Sequence, residues 1–111
     1  MICEFGDIVI VPFPFVDSPQ SKRRPALVLS RRTFNDAHRH TLLAMITTGS
    51  GASWESDIPL SALETTGLPV PSLIRMKFFT LDNRFIIQRI GHLHTKDMKR
   101  VHKVIRGSVL G

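Results

Sequence analysis

The sequence predicts a mainly β domain of the α+β class, a small and strongly bent antiparallel sheet or barrel with a C-terminal helix. Three observations predict it. Short apolar runs dense in β-branched and aromatic residues recur between turn-forming segments, the signature of successive strands. The period changes only near the end, where Met98, Val101 and Ile105 recur at helical spacing. The chain has 111 residues and 42% hydrophobic content, enough for one core and too little for two. Residues 1–111 therefore read as a single domain.

The elements follow in order. "GDIVIVPFPF", residues 6–15, is a strand whose second half lies on an edge or bends, because Pro12 and Pro14 cannot donate ladder hydrogen bonds. "VDSPQSKRR" (16–24) collects turn formers and charge and reads as an exposed loop. "PALVLS" (25–30) and "TLLAMITT" (41–48) read as strands, joined by a polar connection containing Asn35, Asp36, His38 and His40. "GSGASW" (49–54) is glycine-rich and expected to be mobile. A short strand is expected around Ile58 to Leu60. Ser61 and Glu64 then have capping-box spacing for a helix that Gly67 and Pro69 stop within two turns. "SLIRMKFFTL" and "RFIIQRIGHL" flank Asp82-Asn83 and predict a hairpin over 72–93. In the last element Thr95 is the expected N-cap, Asp97 complements the helix N-terminus, and Gly107 ends the helix.

Charge narrows the function. Fifteen Lys and Arg against nine Asp and Glu give a net charge of +6, and a small protein this basic usually meets polyanions, nucleic acid first among them. The distribution is uneven: residues 22–40 hold six cations against one acid, residues 72–111 hold nine against two, and residues 41–71 hold no cation. An acidic protein partner would satisfy the same charge. No apolar run approaches the roughly 18 to 20 residues that cross a bilayer. Met1 to Val11 carries Glu4 and Asp7 and lacks the cationic start of a signal peptide, so the expected location is the cytoplasm. Cys3 is the only cysteine, which excludes an intramolecular disulfide and a cysteine-based zinc cage.

"KRRPALVLS", residues 22–30, sets three cations directly ahead of a strand. Pro25 biases Arg24 toward extended backbone. Alternation then places Arg24 on the face of Ala26 and Val28, with Arg23 turned the other way. Its planar fork of donors matches phosphate oxygens. A solvated loop that keeps a sheet end in water is the competing reading. Thr47 and Thr48 end an apolar run at a glycine-rich loop that lets a ligand approach, although threonine is also an ordinary strand residue. "HRH" (38–40) and "HLH" (92–94) each set two imidazoles on one face of a strand. Two ligands are not a metal site; surface or packing roles compete with a two-histidine ribonuclease. Phe78 and Phe79 point to opposite faces, where a base-stacking platform competes with a core place for at least one of the rings.

"GDIVIVPFPF", "KRRPALVLS", "MITTGSG" and "SLIRMKFFTLDNRFIIQRIGHL", in that order and spacing, resemble the MazF/PemK toxins of bacterial type II toxin–antitoxin systems. The likeness runs from Phe5 to about Ile105. It implies an SH3-like small barrel, usually a homodimer, acting without metal or other cofactor as a sequence-selective endoribonuclease on single-stranded RNA. The family's catalytic arginine falls on Arg24 and its catalytic threonine on Thr47. Lys22, Arg23, Thr48, Ser50 and Lys77 are the accompanying RNA-binding candidates. The loop "DSPQSKRR" departs from a common family form rich in Gly, Glu and Gln, so the cleaved sequence is not carried over. The implied partner is an acidic antitoxin whose disordered tail folds across the basic groove. Two other functions stay open: a toxin of the same fold that poisons DNA gyrase, and a catalytically silent nucleic-acid-binding module.

Overall fold

The computed structural model describes residues 1–13, 22–49 and 51–111. Six strands form one antiparallel sheet: β1 (Asp7–Phe13), β2 (Lys22–Val28), β3 (His40–Thr47), β4 (Ile58–Pro59), β5 (Leu73–Asp82) and β6 (Gln88–His92). Their spatial order is β4-β5-β3-β2-β1-β6. The sheet curls into a half-barrel, and helix α2 (Thr95–Val104) packs on it.

Strand alternation divides the apolar residues between two clusters. Ile8, Leu27, Ala44, Ile46, Ile74 and Met76 turn to one face, where Leu93, Val101 and the partly buried Met98, Val104 and Ile105 cover them. The stripe read from the sequence is thus the contact face of α2. Val9, Val11, Ala26, Val28, Leu43, Leu81 and Ile86 form the second cluster on the opposite face. Phe79 packs against that cluster while Phe78 is 36% exposed, the opposed pair that alternation predicts.

The open edges of the half-barrel are bridged by chain, and two glycines allow it. Segment 61–71 crosses from β4 toward β6, where the His92 N–H donates to Thr65 O at 2.9 Å. A Cβ on Gly91 would stand 2.4 Å from Thr65 O, and one on Gly67 would stand 2.3 Å from Ile90 O. Gly67 also has φ of +73°, which glycine adopts at little cost.

Five local expectations are corrected. The polar connection contains a helix, α1 (Arg32–His38), which no apolar stripe announces. It is fastened by Asn35, fully buried, whose Nδ2 donates to Cys3 O at 2.9 Å and whose Oδ1 accepts from Ser30 Oγ. Residues 72–93 are not a hairpin: β5 already has β3 and β4 as neighbours, and β6 pairs with β1. Asp82-Asn83 instead opens a 3-10 turn (Asn83–Phe85) in which the buried Asn83 donates to Asn35 O at 2.8 Å and accepts from Thr41 Oγ1 at 2.7 Å. No helix forms at 61–66, because Ser61 caps nothing locally; its N–H and Oγ donate to Asp97 at 3.0 and 2.8 Å. The N-cap of α2 is His94, whose Nδ1 accepts from the Lys96 N–H at 3.1 Å. Nor does Gly107 stop the chain's winding, since a π-helical turn spans Ile105–Val109. Among the described residues, no helix is long and apolar enough to cross a membrane.

Candidate active site

The face that carries the second apolar cluster changes character toward the β2 N-terminus. There Phe13, Arg24, Met45, Thr47, Arg75 and Lys77 continue the alternation of the buried residues but line an open depression of about 180 Å³. A second, larger cavity of about 460 Å³ lies beside it, with Ile10, Pro25, Ile46, Leu68 and Ile90 among its walls. Arg24 and Thr47 line both. They stand at the ridge between two compartments, the smaller of which also holds the cations Arg75 and Lys77.

Strand register explains why these two residues meet. The β2–β3 ladder pairs Ala26 with Met45 and Val28 with Leu43; continued by two residues, it sets Arg24 across from Thr47. On its other side Arg24 is opposite Val11 of β1, and its guanidinium lies 5.6 Å from the centre of the Phe13 ring. That stacking holds the charge over the sheet without neutralising it. Thr47 Oγ1 accepts from the Gly49 N–H at 3.4 Å, which leaves the hydroxyl proton for an incoming acceptor. The bend depends on glycine, with φ of +84° at Gly49.

Of the other candidates, Thr48 lines the larger cavity and Lys77 the smaller. Lys22 and Arg23 are exposed at the start of β2, outside both linings. Ser50 lies outside the described residues. Among the described residues no carboxylate pairs with Lys22, Arg23, Arg24 or Lys77, whereas Arg75, Arg84, Arg89 and Arg100 each have an acidic partner. The basic end of the sheet therefore presents uncompensated charge.

The histidine pairs take no part. His38 ends α1 and stacks with Phe34 at 4.5 Å, while His40 begins β3. His92 ends β6 and His94 caps α2. Each pair straddles an element boundary, so neither shares a strand face as the two-residue spacing suggests. Among the described residues no three His, Cys, Asp or Glu side chains gather.

Arg75 and Asp57 were not anticipated. Arg75 Nε and Nη2 donate to the two oxygens of Asp57 at 3.0 and 2.9 Å, and Nη2 also reaches Ala52 O at 3.0 Å. The side-chain hydrogen bonds from Arg75 hold the Asp57 carboxyl below its ordinary value against the effect of burial. The sequence signal was present in "LIRMK", where Arg75 and Lys77 alternate with buried Ile74 and Met76. In an amphipathic strand those two cations share one face.

A curled antiparallel sheet capped by one helix, with an arginine and a threonine set in a basic cleft, defines a small β-barrel protein with one face suited to a polyanion. The sequence matches, over residues 4–109, the family described as PemK-like, MazF-like toxin of type II toxin-antitoxin system, and the chain belongs to that family. None of the curated proteins matches it significantly in sequence. Among solved structures, it is similar to MazF in the MazE–MazF complex (Form-II) of Deinococcus radiodurans, with a TM-score of 0.76 and 22% identity, covering 100% of this chain and 97% of that one. It is also similar to the Mycobacterium tuberculosis toxin MazF-mt6, with a TM-score of 0.71 and 23% identity, covering 89% and 91%. A third relative is an endoribonuclease in complex with its cognate antitoxin from a mycobacterial species, with a TM-score of 0.71 and 11% identity, covering 94% and 89%. These identities speak to the fold, which agrees with the curled barrel and terminal helix read from the sequence.

Proposed function

We propose that the chain is a metal-independent, sequence-selective endoribonuclease that cuts single-stranded RNA, with Arg24 and Thr47 as its catalytic residues. The observation that carries this reading is the convergence of an uncompensated arginine and a threonine with a free hydroxyl proton on one ridge of a basic cleft. RNA carries its own nucleophile. The 2′-oxygen attacks the adjacent phosphorus, the bond from phosphorus to the 5′-oxygen breaks, and a 2′,3′-cyclic phosphate and a 5′-hydroxyl result.

The protein has to stabilise the extra negative charge on the phosphorane. Arg24 donates to the non-bridging oxygens, a contribution worth about 2.7 to 4 kcal/mol for one preorganised donor. Thr47 donates its hydroxyl proton to a phosphate oxygen and so orients the group. No histidine or carboxylate stands among the described residues lining the cleft. The 2′-hydroxyl proton accordingly passes to solvent, and the 5′-oxygen takes one from it. Thr48 and Lys77 hold the neighbouring backbone within the cleft, and Lys22 and Arg23 extend the positive track along β2.

The proposal includes two partners. An acidic antitoxin would lie on the same basic face and block RNA; the Deinococcus radiodurans relative is seen with MazE, and the unpaired cations suit such a chain. A second copy of the toxin would complete the usual homodimer of the family, acting in the cytoplasm. The test is digestion of a mixed-sequence single-stranded RNA in excess EDTA beside DNA of the same sequence. Cutting of the RNA at discrete sites with the DNA left whole is the expected result. DNA cleavage or a strict magnesium requirement contradicts the reading, and RNA that is bound but never cut points to a silent binding module.

A further inference from the structure

We infer that Trp54 is a stacking platform for one nucleobase of the bound strand, at the Arg75 end of the cleft. The inference rests on the RNA-binding reading above and adds a base-contacting position to it. Trp54 is the only tryptophan of the chain and is 43% exposed. An exposed ring alone means little; what distinguishes this one is how it is held.

The Trp54 backbone N–H donates to Asp57 Oδ2 at 2.9 Å, and the Asp57 backbone N–H returns a bond to Trp54 O at 3.0 Å. The glycine-rich segment is thereby pinned at its last residue. The same carboxylate takes both arms of Arg75, whose guanidinium lies 5.4 Å from the Trp54 ring centre. With three N–H groups engaged by Asp57 and Ala52 and its side chain 16% exposed, Arg75 is a brace and not a free phosphate contact. It also lines the depression that holds Arg24, Thr47 and Lys77. One residue therefore ties the aromatic ring to the wall of the cleft.

Trp54 also lines a hollow of about 540 Å³ with Glu55, Ser56 and Ser108. A ring fixed before the ligand arrives avoids the ordering cost of binding. Every base has a π-face, and in a single strand those faces are available to aromatic side chains. An aromatic surface tied through Arg75 to a cleft that holds Arg24 and Lys77 is a combination suited to gripping such a strand.

Because the chain has one tryptophan, its fluorescence reports on this position alone. The probe is a labelled 2′-O-methyl RNA, which lacks the attacking hydroxyl, followed at once by tryptophan emission and by label anisotropy. Emission is expected to quench in parallel with the rise in anisotropy. Trp54→Ala is expected to raise KM for cleavable RNA roughly tenfold, with kcat within about twofold of wild type; Trp54→Phe should recover most of the loss. Removing bases one at a time from the RNA should find a position that weakens the wild type and leaves Trp54→Ala unaffected. RNA that is cut with an unchanged KM in Trp54→Ala, and no base position read differently by the two proteins, overturns the platform while the nuclease stands. RNA neither bound nor cut removes both.

Discussion

Arg24→Ala is expected to slow RNA cleavage roughly 100- to 1,000-fold, the loss that follows removal of one preorganised donor to a developing oxyanion, with the thermal unfolding midpoint close to wild type. The fold is insulated because the Arg24 side chain sits in no core cluster and has no ion-pair partner among the described residues. Its neighbours Ala26, Leu27 and Val28 are fully buried and hold β2 in place. Arg24→Lys keeps the charge and loses the planar fork, so it should recover substrate binding better than turnover. Single-turnover cleavage at saturating RNA separates the two effects. A silent binding module would behave otherwise: Arg24→Ala would weaken association in a salt-dependent way and no rate would exist to lose.

Asp97→Ala is expected to be the most damaging single change to stability in the cleft's support, costing about 3 kcal/mol, the lower end for breaking a buried charged pair. Asp97 is fully buried on the first turn of α2 and accepts from the Ser61 N–H, Ser61 Oγ and Arg100 Nη1. Arg100 in turn donates to Pro59 O at 2.7 Å. Together these bonds fasten the helix to segment 61–71, whose Gly67 to Val70 wall the larger cavity. Arg100 is 41% exposed, which limits the penalty. A midpoint lowered by about 10 °C or more in thermal unfolding, with partial rescue by Asn, is the expected outcome; an unchanged midpoint contradicts it.

Acid should act through the same carboxyl. Burial opposes ionisation of Asp97, but the bonds from Ser61 and Arg100 more than offset it and leave the group below its ordinary value of 3.8. A carboxyl depressed in the folded state contributes stability that is present above the unfolded value and lost as pH falls through the folded one. Wild type should therefore lose stability below about pH 4, and Asp97→Ala should lose less over that range.

The strands were legible as short apolar runs between turn formers, because β1, β2 and β3 bury both faces, and α2 as an apolar stripe near a period of 3.6. Helix α1 was not, because a buried asparagine holds it and not an apolar stripe; hydrophobic patterning cannot register Asn35. The hairpin expected over 72–93 failed for a related reason. Asp82-Asn83 is a turn, but Asn83 turns inward to Asn35 and Thr41 and sends the chain to the β1 edge. Pairing order is a tertiary property that a local turn signal does not carry. In the candidate site, the Arg24 face followed from Pro25 and alternation, whereas the union of Arg24 with Thr47 needed the β2–β3 register. Trp54 and Asp57 lie three residues apart in one loop, and their union with Arg75 of β5 could be made only in space.

The most direct test of the account is cleavage of an RNA carrying a single 2′-deoxynucleotide on the 5′ side of a mapped cleavage site. Attack by the RNA's own hydroxyl predicts that cutting at that phosphate disappears while other sites are cut as before, with 2′,3′-cyclic phosphate and 5′-hydroxyl ends. Continued cutting at the deoxy position would show that the nucleophile comes from elsewhere and would contradict the role assigned to Arg24 and Thr47.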